Sequence, residues 1–256
     1  MRKHGGGGNR TMKCLFLAAG YATRLYPLTE NFPKPLLKVG SKNILEHLLD
    51  DLTTTNEIDR FYVVTNAKFA PIFQEWASTR PENIDVVDDG TSTNETRLGA
   101  VRDIIFALES RQIDDDLFVL AGDNLLDFSL TDFLKYAKEK GASCGMRYYE
   151  PDIAKLRKAG VAEIGDDDRI LAMTEKPQEP KSHWCTPPFY FYRREDLKLV
   201  KSSVDAGCGV DAPGSLLAWL ATQVPVYAYL APGARHDIGD LESYKIAQKL
   251  FEERGL

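Results

Sequence analysis

The 256-residue chain carries 43% hydrophobic and 27% charged residues and a formal net charge of −6. That length can bury a sizeable core as one α/β domain, and the acidic balance excludes any general pull toward nucleic acid or an anionic membrane, so an anionic substrate must be met by locally placed cations. Cys14, Cys144, Cys185 and Cys208 lack zinc-site spacing and disulfide density, and no apolar run reaches the ~18 residues of a transmembrane helix or forms a signal peptide; reduced thiols in a cytoplasmic protein are expected.

Residues 1–11, MRKHGGGGNRT, hold a four-glycine tract and are expected to be a flexible leader outside the fold. From Met12 onward, short apolar runs alternate with longer periodic ones. Strands are predicted at 13–18, 60–66, 84–89 and 116–123, with amphipathic helices at 43–52, 68–78 and 98–110 between them. This order predicts a Rossmann-like, doubly wound, mostly parallel sheet flanked by helices, with ligands at the carboxyl ends of its strands. The second half adds strands at 143–150, at 160–177 folded back at GDDD, and at 187–195. An amphipathic segment at 212–223, a strand at 224–232 and a closing helix at 241–254 complete the reading.

LFLAAGYATRLYPLTENFPKPLL, residues 15–37, stands out. The strand ends at Leu17, and Ala18, Ala19, Gly20 and Ala22 have little or no side chain, so a polyanion could approach main-chain N–H groups there. Small residues after a strand also serve close packing alone. The P-loop and GxGxxG patterns are both absent. Arg24 lies four residues past Gly20, and Lys34 sits between Pro33 and Pro35. Two cations beside a strand end suit transfer between phosphates, which needs charge neutralisation and alignment; a surface arginine and a solvated lysine are the plainer alternative. Asp123, at the end of the apolar run Leu117 to Ala121, is placed to hold Mg²⁺ or to cap a turn.

Leu17 to Thr29 followed by Pro33-Lys34-Pro35-Leu36-Leu37 resembles the N-terminal motif of the sugar-1-phosphate nucleotidyltransferases, LAAGxGTRLxPLT…PKPLL, with Ala22 at a position commonly glycine. Leu120 to Asn124, Thr174-Glu175-Lys176-Pro177 and Arg235 to Asp240, the last matching W-x-D-x-G, agree with that family in order and spacing. The resemblance implies a glycosyltransferase-A-like fold with a nucleotide-binding half at about 12–142, a small β-rich acceptor-binding half at 143–256, and no C-terminal β-helix domain. It assigns Leu17, Ala18, Ala19, Gly20, Thr23, Gly90, Gly99 and Asp123 to the nucleotide, Asp123 and Asp237 to Mg²⁺, and Glu175 and Lys176 to the acceptor. Arg97, like Gly90, Thr91 and Leu98, falls in the segment that contacts base and ribose. Arg24, Lys34 and Lys176 become the catalytic cations, and His236 a local structural residue.

The implied reaction is attack of a sugar-1-phosphate on the α-phosphorus of a nucleoside triphosphate, releasing pyrophosphate. Its partners are those two small molecules, with no nucleic acid or membrane; a homo-oligomer is compatible. Pro188 stands where many sugar-specific relatives have glycine, which removes a backbone N–H and predicts a reshaped acceptor pocket. Two alternatives follow: a cytidylyltransferase acting on phosphocholine or another non-sugar phosphate, and a catalytically idle regulatory relative.

Overall fold

The computed structural model describes residues 12–253; the expected leader, residues 1–11, lies outside the described residues. Strands Ile84–Asp88, Ile58–Thr65, Met12–Leu17 and Leu117–Ala121 lie side by side in that order, all parallel. Each parallel return runs through a helix, as the sequence pattern requires. Past residue 142 the pairing changes. Phe189–Tyr192 is antiparallel to both Leu117–Ala121 and Ser143–Tyr149, while Val226–Leu230 runs parallel to Ser143–Tyr149. The far end of Ser143–Tyr149 pairs with Trp184–Thr186, which leads into the hairpin Gly160–Ile164 and Ile170–Glu175. The sheet of ten strands is therefore parallel through its first half and mixed overall. The expected strand at 187–195 is shortened to Phe189–Tyr192, because Pro187 and Pro188 offer no N–H to a ladder, and a further strand, Trp184–Thr186, ends just before them.

Side chains alternate across the sheet, so each strand feeds two cores. Cys14, Phe16, Phe61, Val63, Phe118 and Leu120 face helices Ile44–Thr54, Ala70–Ser78 and Thr131–Lys140. On the opposite face Leu15, Tyr62, Val64 and Val119 meet helices Ala100–Ser110, Leu197–Ser202 and Pro213–Leu220. Local signals set several boundaries. Asn43 caps Ile44–Thr54 in a capping box with Glu46, and Pro213 opens Pro213–Leu220 at a position that has no use for its missing N–H. Thr131–Lys140 carries only three fully buried side chains, Phe133, Leu134 and Ala137, so its periodicity is faint in the sequence.

A third cluster fixes the ligand end of the sheet. Leu25, Leu37, Val39, Leu125 and Ile238 pack against Tyr244, Ala247 and Phe251 of the closing helix Leu241–Glu253. Residues one or two positions from Arg24, Asp123 and Asp237 thus share one apolar anchor, which holds three distant segments in one place. Among the described residues no helix is long and apolar enough to cross a membrane, and all four cysteines are free and buried.

Candidate active site

Strand Met12–Leu17 delivers the glycine-containing turn to the carboxyl edge of the sheet. Thr65 Oγ1 and Asn66 Nδ2 donate to the carbonyls of Ala18 and Ala19 at 3.1 and 2.9 Å, pinning the turn to the neighbouring strand end. Ala18 N–H is used by Val64 O, but the N–H groups of residues 19–24 donate to no acceptor among the described residues. Six consecutive main-chain donors beside small side chains form a surface that a polyphosphate could satisfy. A Cβ added to Gly20 would meet nothing within 4 Å, so the protein's own packing does not demand glycine there.

Ala22, at the position where the resemblance expected glycine, adopts the left-handed region with φ 48° and ψ 43°. Its carbonyl accepts from Thr29 Oγ1 at 2.8 Å, which helps hold the turn against its intrinsic strain. Thr23 and Arg24 follow in an exposed 3₁₀ turn. A Cβ on Gly239 would stand 3.9 Å from both Arg24 terminal nitrogens and from Asp237 Oδ2, so Arg24 and Asp237 share one small space.

Lys34 is the most tightly held of the predicted cations. Its ammonium donates to Asp123 Oδ2 at 2.6 Å and to the carbonyl of Ile238 at 2.7 Å. A Cβ added to Gly122 would stand 3.4 Å from Pro35 and Leu45, and the Gly122 N–H donates to Leu17 O, which seats the strand end carrying Asp123 beside the Lys34 turn. Burial pushes the Asp123 carboxyl up, but Lys34 and then Arg235 outweigh this and hold it below the usual carboxylate range.

The second carboxylate arrives by a pairing that periodicity does not reveal. Arg235–Asp237 forms an antiparallel ladder with Asn124–Leu126, placing Asp237 opposite Asn124, next in sequence to Asp123. Ile238 N–H donates to Asp123 O at 3.2 Å and closes the arrangement. Burial and then the charge of Asp123 raise the Asp237 carboxyl, as expected for two acids set close together. Two adjacent carboxylates are a hard-oxygen donor set of the kind Mg²⁺ takes, with the rest of its shell drawn from water and substrate phosphates. Among the described residues no group of three or more His, Cys, Asp or Glu side chains forms a larger metal cluster.

Beside this pair opens a cavity of about 350 Å³ lined by Asp123, Asp237, Glu175, Lys176, Thr186 and Pro188, among others. Glu175 ends its strand with one carboxylate oxygen against Gly160 and Gly214; a Cβ on Gly214 would come within 2.3 Å of it. Burial raises this carboxyl, and Lys176 draws it back. Lys176 has φ 49°, an uncommon backbone state for a lysine, held by its N–H donating to Ala159 O at 3.0 Å. Pro188 lines the same wall, and its carbonyl accepts from Ala121 N–H at 3.1 Å.

Gly90 and Gly99 are not among the lining residues of this cavity. Gly90 takes φ +77° in a turn closed by Asp88 Oδ1. Gly99 takes φ +89° and a Cβ there would lie 2.7 Å from Val210 O, so backbone packing by itself accounts for glycine at 99. Arg97 stays exposed, donating to Asn94 O and lying 3.8 Å from Asp211. His236 packs edge-on against Phe251. Residues to which the sequence reading assigned no role also line the cavity, among them Asn124, Tyr148, Lys158 and Arg235. Asn124 is fully buried, with Nδ2 donating to Asp123 Oδ1 at 2.8 Å and Oδ1 accepting from Arg235. Asn124 and Arg235 fall in segments already singled out in the sequence, Leu120 to Asn124 and the W-x-D-x-G match, whereas Tyr148 and Lys158 carry no such signal.

The chain is 30% identical over 168 residues, 66% of its length, to the bifunctional protein GlmU of Methanococcus vannielii, and spans 36% of that protein. It is 29% identical over 181 residues to the UTP–glucose-1-phosphate uridylyltransferase AglF of Haloferax volcanii, covering 71% of this chain and 72% of that one. A solved UDP-glucose pyrophosphorylase complexed with UDP-glucose superposes with a TM-score of 0.79 over 95% of this chain and 99% of its own, at 20% identity, a likeness of fold. Residues 13–254 match the family model for nucleotidyl transferases, and the chain belongs to that family.

Proposed function

We propose that the protein is a Mg²⁺-dependent enzyme that transfers a nucleotidyl group from a nucleoside triphosphate to a sugar-1-phosphate, forming an NDP-sugar and pyrophosphate. The observation that carries this reading is the ladder between Arg235–Asp237 and Asn124–Leu126, which sets two carboxylates between the free N–H groups of residues 19–24 and the cavity of Glu175 and Lys176. The relative AglF, named for glucose-1-phosphate, supports the substrate class.

The attacking phosphate oxygen is already anionic near neutral pH, so no general base is needed and the work is to place two repelling anions together. The main chain at 19–24 and Arg24 take the β- and γ-phosphates. Lys34, fixed by Asp123 and Ile238 O, lies at the α-phosphate. Lys176 receives the acceptor phosphate, and Glu175 accepts from sugar hydroxyls. Asp123 and Asp237 hold Mg²⁺, which when bound supplies charge neutralisation and orients the phosphates.

A phosphocholine acceptor is the alternative reading, and the charged lining, Lys158, Lys176 and Arg235 against Asp123, Glu175, Asp211 and Asp237, does not by itself favour it. An idle relative is disfavoured by the convergence of Arg24, Lys34, Asp123 and Asp237 on one small volume. The test is pyrophosphate release across a panel of nucleoside triphosphates and phosphorylated acceptors with Mg²⁺. Turnover with a sugar-1-phosphate is expected; turnover with phosphocholine alone, or with no acceptor, refutes the reading.

A further inference from the structure

Arg235 stands where the W-x-D-x-G pattern has tryptophan, while Asp237 and Gly239 keep their places. Its side chain is 20% exposed and stands 3.9 Å from Asp237 Oδ2. The guanidinium carbon lies 5.7 Å from the ring centre of Tyr148, and one terminal nitrogen donates to Asn124 Oδ1. Nε is buried with no hydrogen-bond partner. A guanidinium offers five donors, and these contacts use few of them.

Arg235 offsets Asp237 at 3.9 Å as Lys34 offsets Asp123, but its buried Nε and most of its other donors are used by neither contact. Lys158 reaches the same cavity from an exposed turn after the helix Ile153–Leu156 and has no ion pair among the described residues. With Lys176 given to the reacting phosphate, the spare donors of Arg235 and the Lys158 ammonium remain for a further group of the ligand, in a cavity that Glu175 and Asp211 also line. Tyr148, Lys158, Pro187, Arg235 and Asp237 also line an adjoining cavity of about 970 Å³, so Arg235 and Lys158 stand where the two spaces meet. There is room at that junction for a substituent beyond the sugar ring.

We propose that Arg235 and Lys158 form a second anion subsite, and that the acceptor carries a carboxylate or a further phosphate in addition to the phosphate that attacks. This rests on the acceptor reading of the cavity given above. A forked guanidinium suits either anion, and charge-assisted hydrogen bonds in a partly dry site separate an anionic acceptor from a neutral one strongly.

The experiment measures kcat and KM by pyrophosphate release for glucose 1-phosphate, glucuronic acid 1-phosphate and glucose 1,6-bisphosphate, using whichever triphosphate supports turnover. The unaltered enzyme is expected to prefer one anionic acceptor by about tenfold or more, mainly through KM. That acceptor identifies the anion as carboxylate or phosphate. Arg235→Gln should bring the three acceptors within about threefold of one another, and Arg235→Lys should retain part of the preference. Lys158→Ala, at an exposed position that the fold does not need, should also weaken the preference. Equal or better use of glucose 1-phosphate by the unaltered enzyme overturns the subsite, as does an Arg235→Gln or Lys158→Ala variant that lowers all three acceptors alike. No release with any acceptor overturns the sugar-nucleotide reading itself.

Discussion

Asp103 offers the clearest perturbation. It lies in the first turn of Ala100–Ser110, where the helix N-terminus favours a negative charge, yet it is 6% exposed. Burial first, and then the neighbouring Asp89, push its carboxyl up to about 8 from 3.8. Asp89 is itself engaged, its Oδ1 accepting from both N–H and Oγ1 of Thr91 at 2.7 Å, while Asp89 Oδ2 and Asp103 Oδ1 are buried without partners. Below the unfolded value both states hold the proton, and Asp103 has no effect on stability. Between the two values the unfolded chain releases the proton while the folded chain keeps it, so stability falls as pH rises, by about 1.4 kcal/mol per pH unit. From 3.8 to pH 7 this amounts to roughly 4 kcal/mol, and above about pH 8 the loss stays constant near its maximum. Asp103→Asn stays neutral throughout and can donate to Asp89 Oδ2. Urea unfolding followed by tryptophan fluorescence at pH 5, 7 and 9 should show the variant gaining on the parent as pH rises, by at least ~2 kcal/mol between pH 5 and pH 9. Because the same other groups titrate in both proteins, the difference isolates Asp103. A stability difference that is the same at pH 5 and pH 9 refutes the reasoning.

Three further outcomes follow from the site. Asp123→Ala should reduce Mg²⁺-dependent pyrophosphate release by about 10³-fold or more with an unchanged circular dichroism spectrum; retention of the parental rate would sink its metal role. Ala22→Gly should relieve left-handed strain of about 1–2 kcal/mol at the cost of roughly 0.5–1 kcal/mol of unfolded-chain entropy, and so raise the melting temperature by about 1–3 °C; a lowered midpoint counts against strain at φ 48°. Gly214→Ala puts a methyl 2.3 Å from Glu175 Oε2, and is expected to raise the acceptor KM at least ~10-fold while leaving the triphosphate KM near its parental value; equal effects on both would remove Glu175 from the acceptor wall.

Much of the architecture could be read from local pattern because it rests on local physics. The four parallel strands and the helices between them obey the apolar periods of their own segments, and Asn43 and Pro213 mark helix starts through their own capping chemistry. Thr131–Lys140 escaped the reading because three buried side chains in ten leave little periodicity. The turn at Ala18 to Arg24 and the lysine between two prolines were legible as a place for a polyanion, since small side chains and fixed cations are properties of residue type. What sequence could not supply was partnership across the chain. Asp123 and Asp237 are separated by 113 intervening residues, and only the ladder between Arg235–Asp237 and Asn124–Leu126 makes them neighbours. The positive φ at Ala22 and Lys176, the fit of Gly214 against Glu175 and the approach of Lys158 and Arg235 to one cavity are likewise set by packing between distant segments. Residue types and spacing therefore determined the kind of chemistry and the family; the tertiary structure decided which side chains meet, because contact is a property of the folded backbone and not of neighbours along the chain.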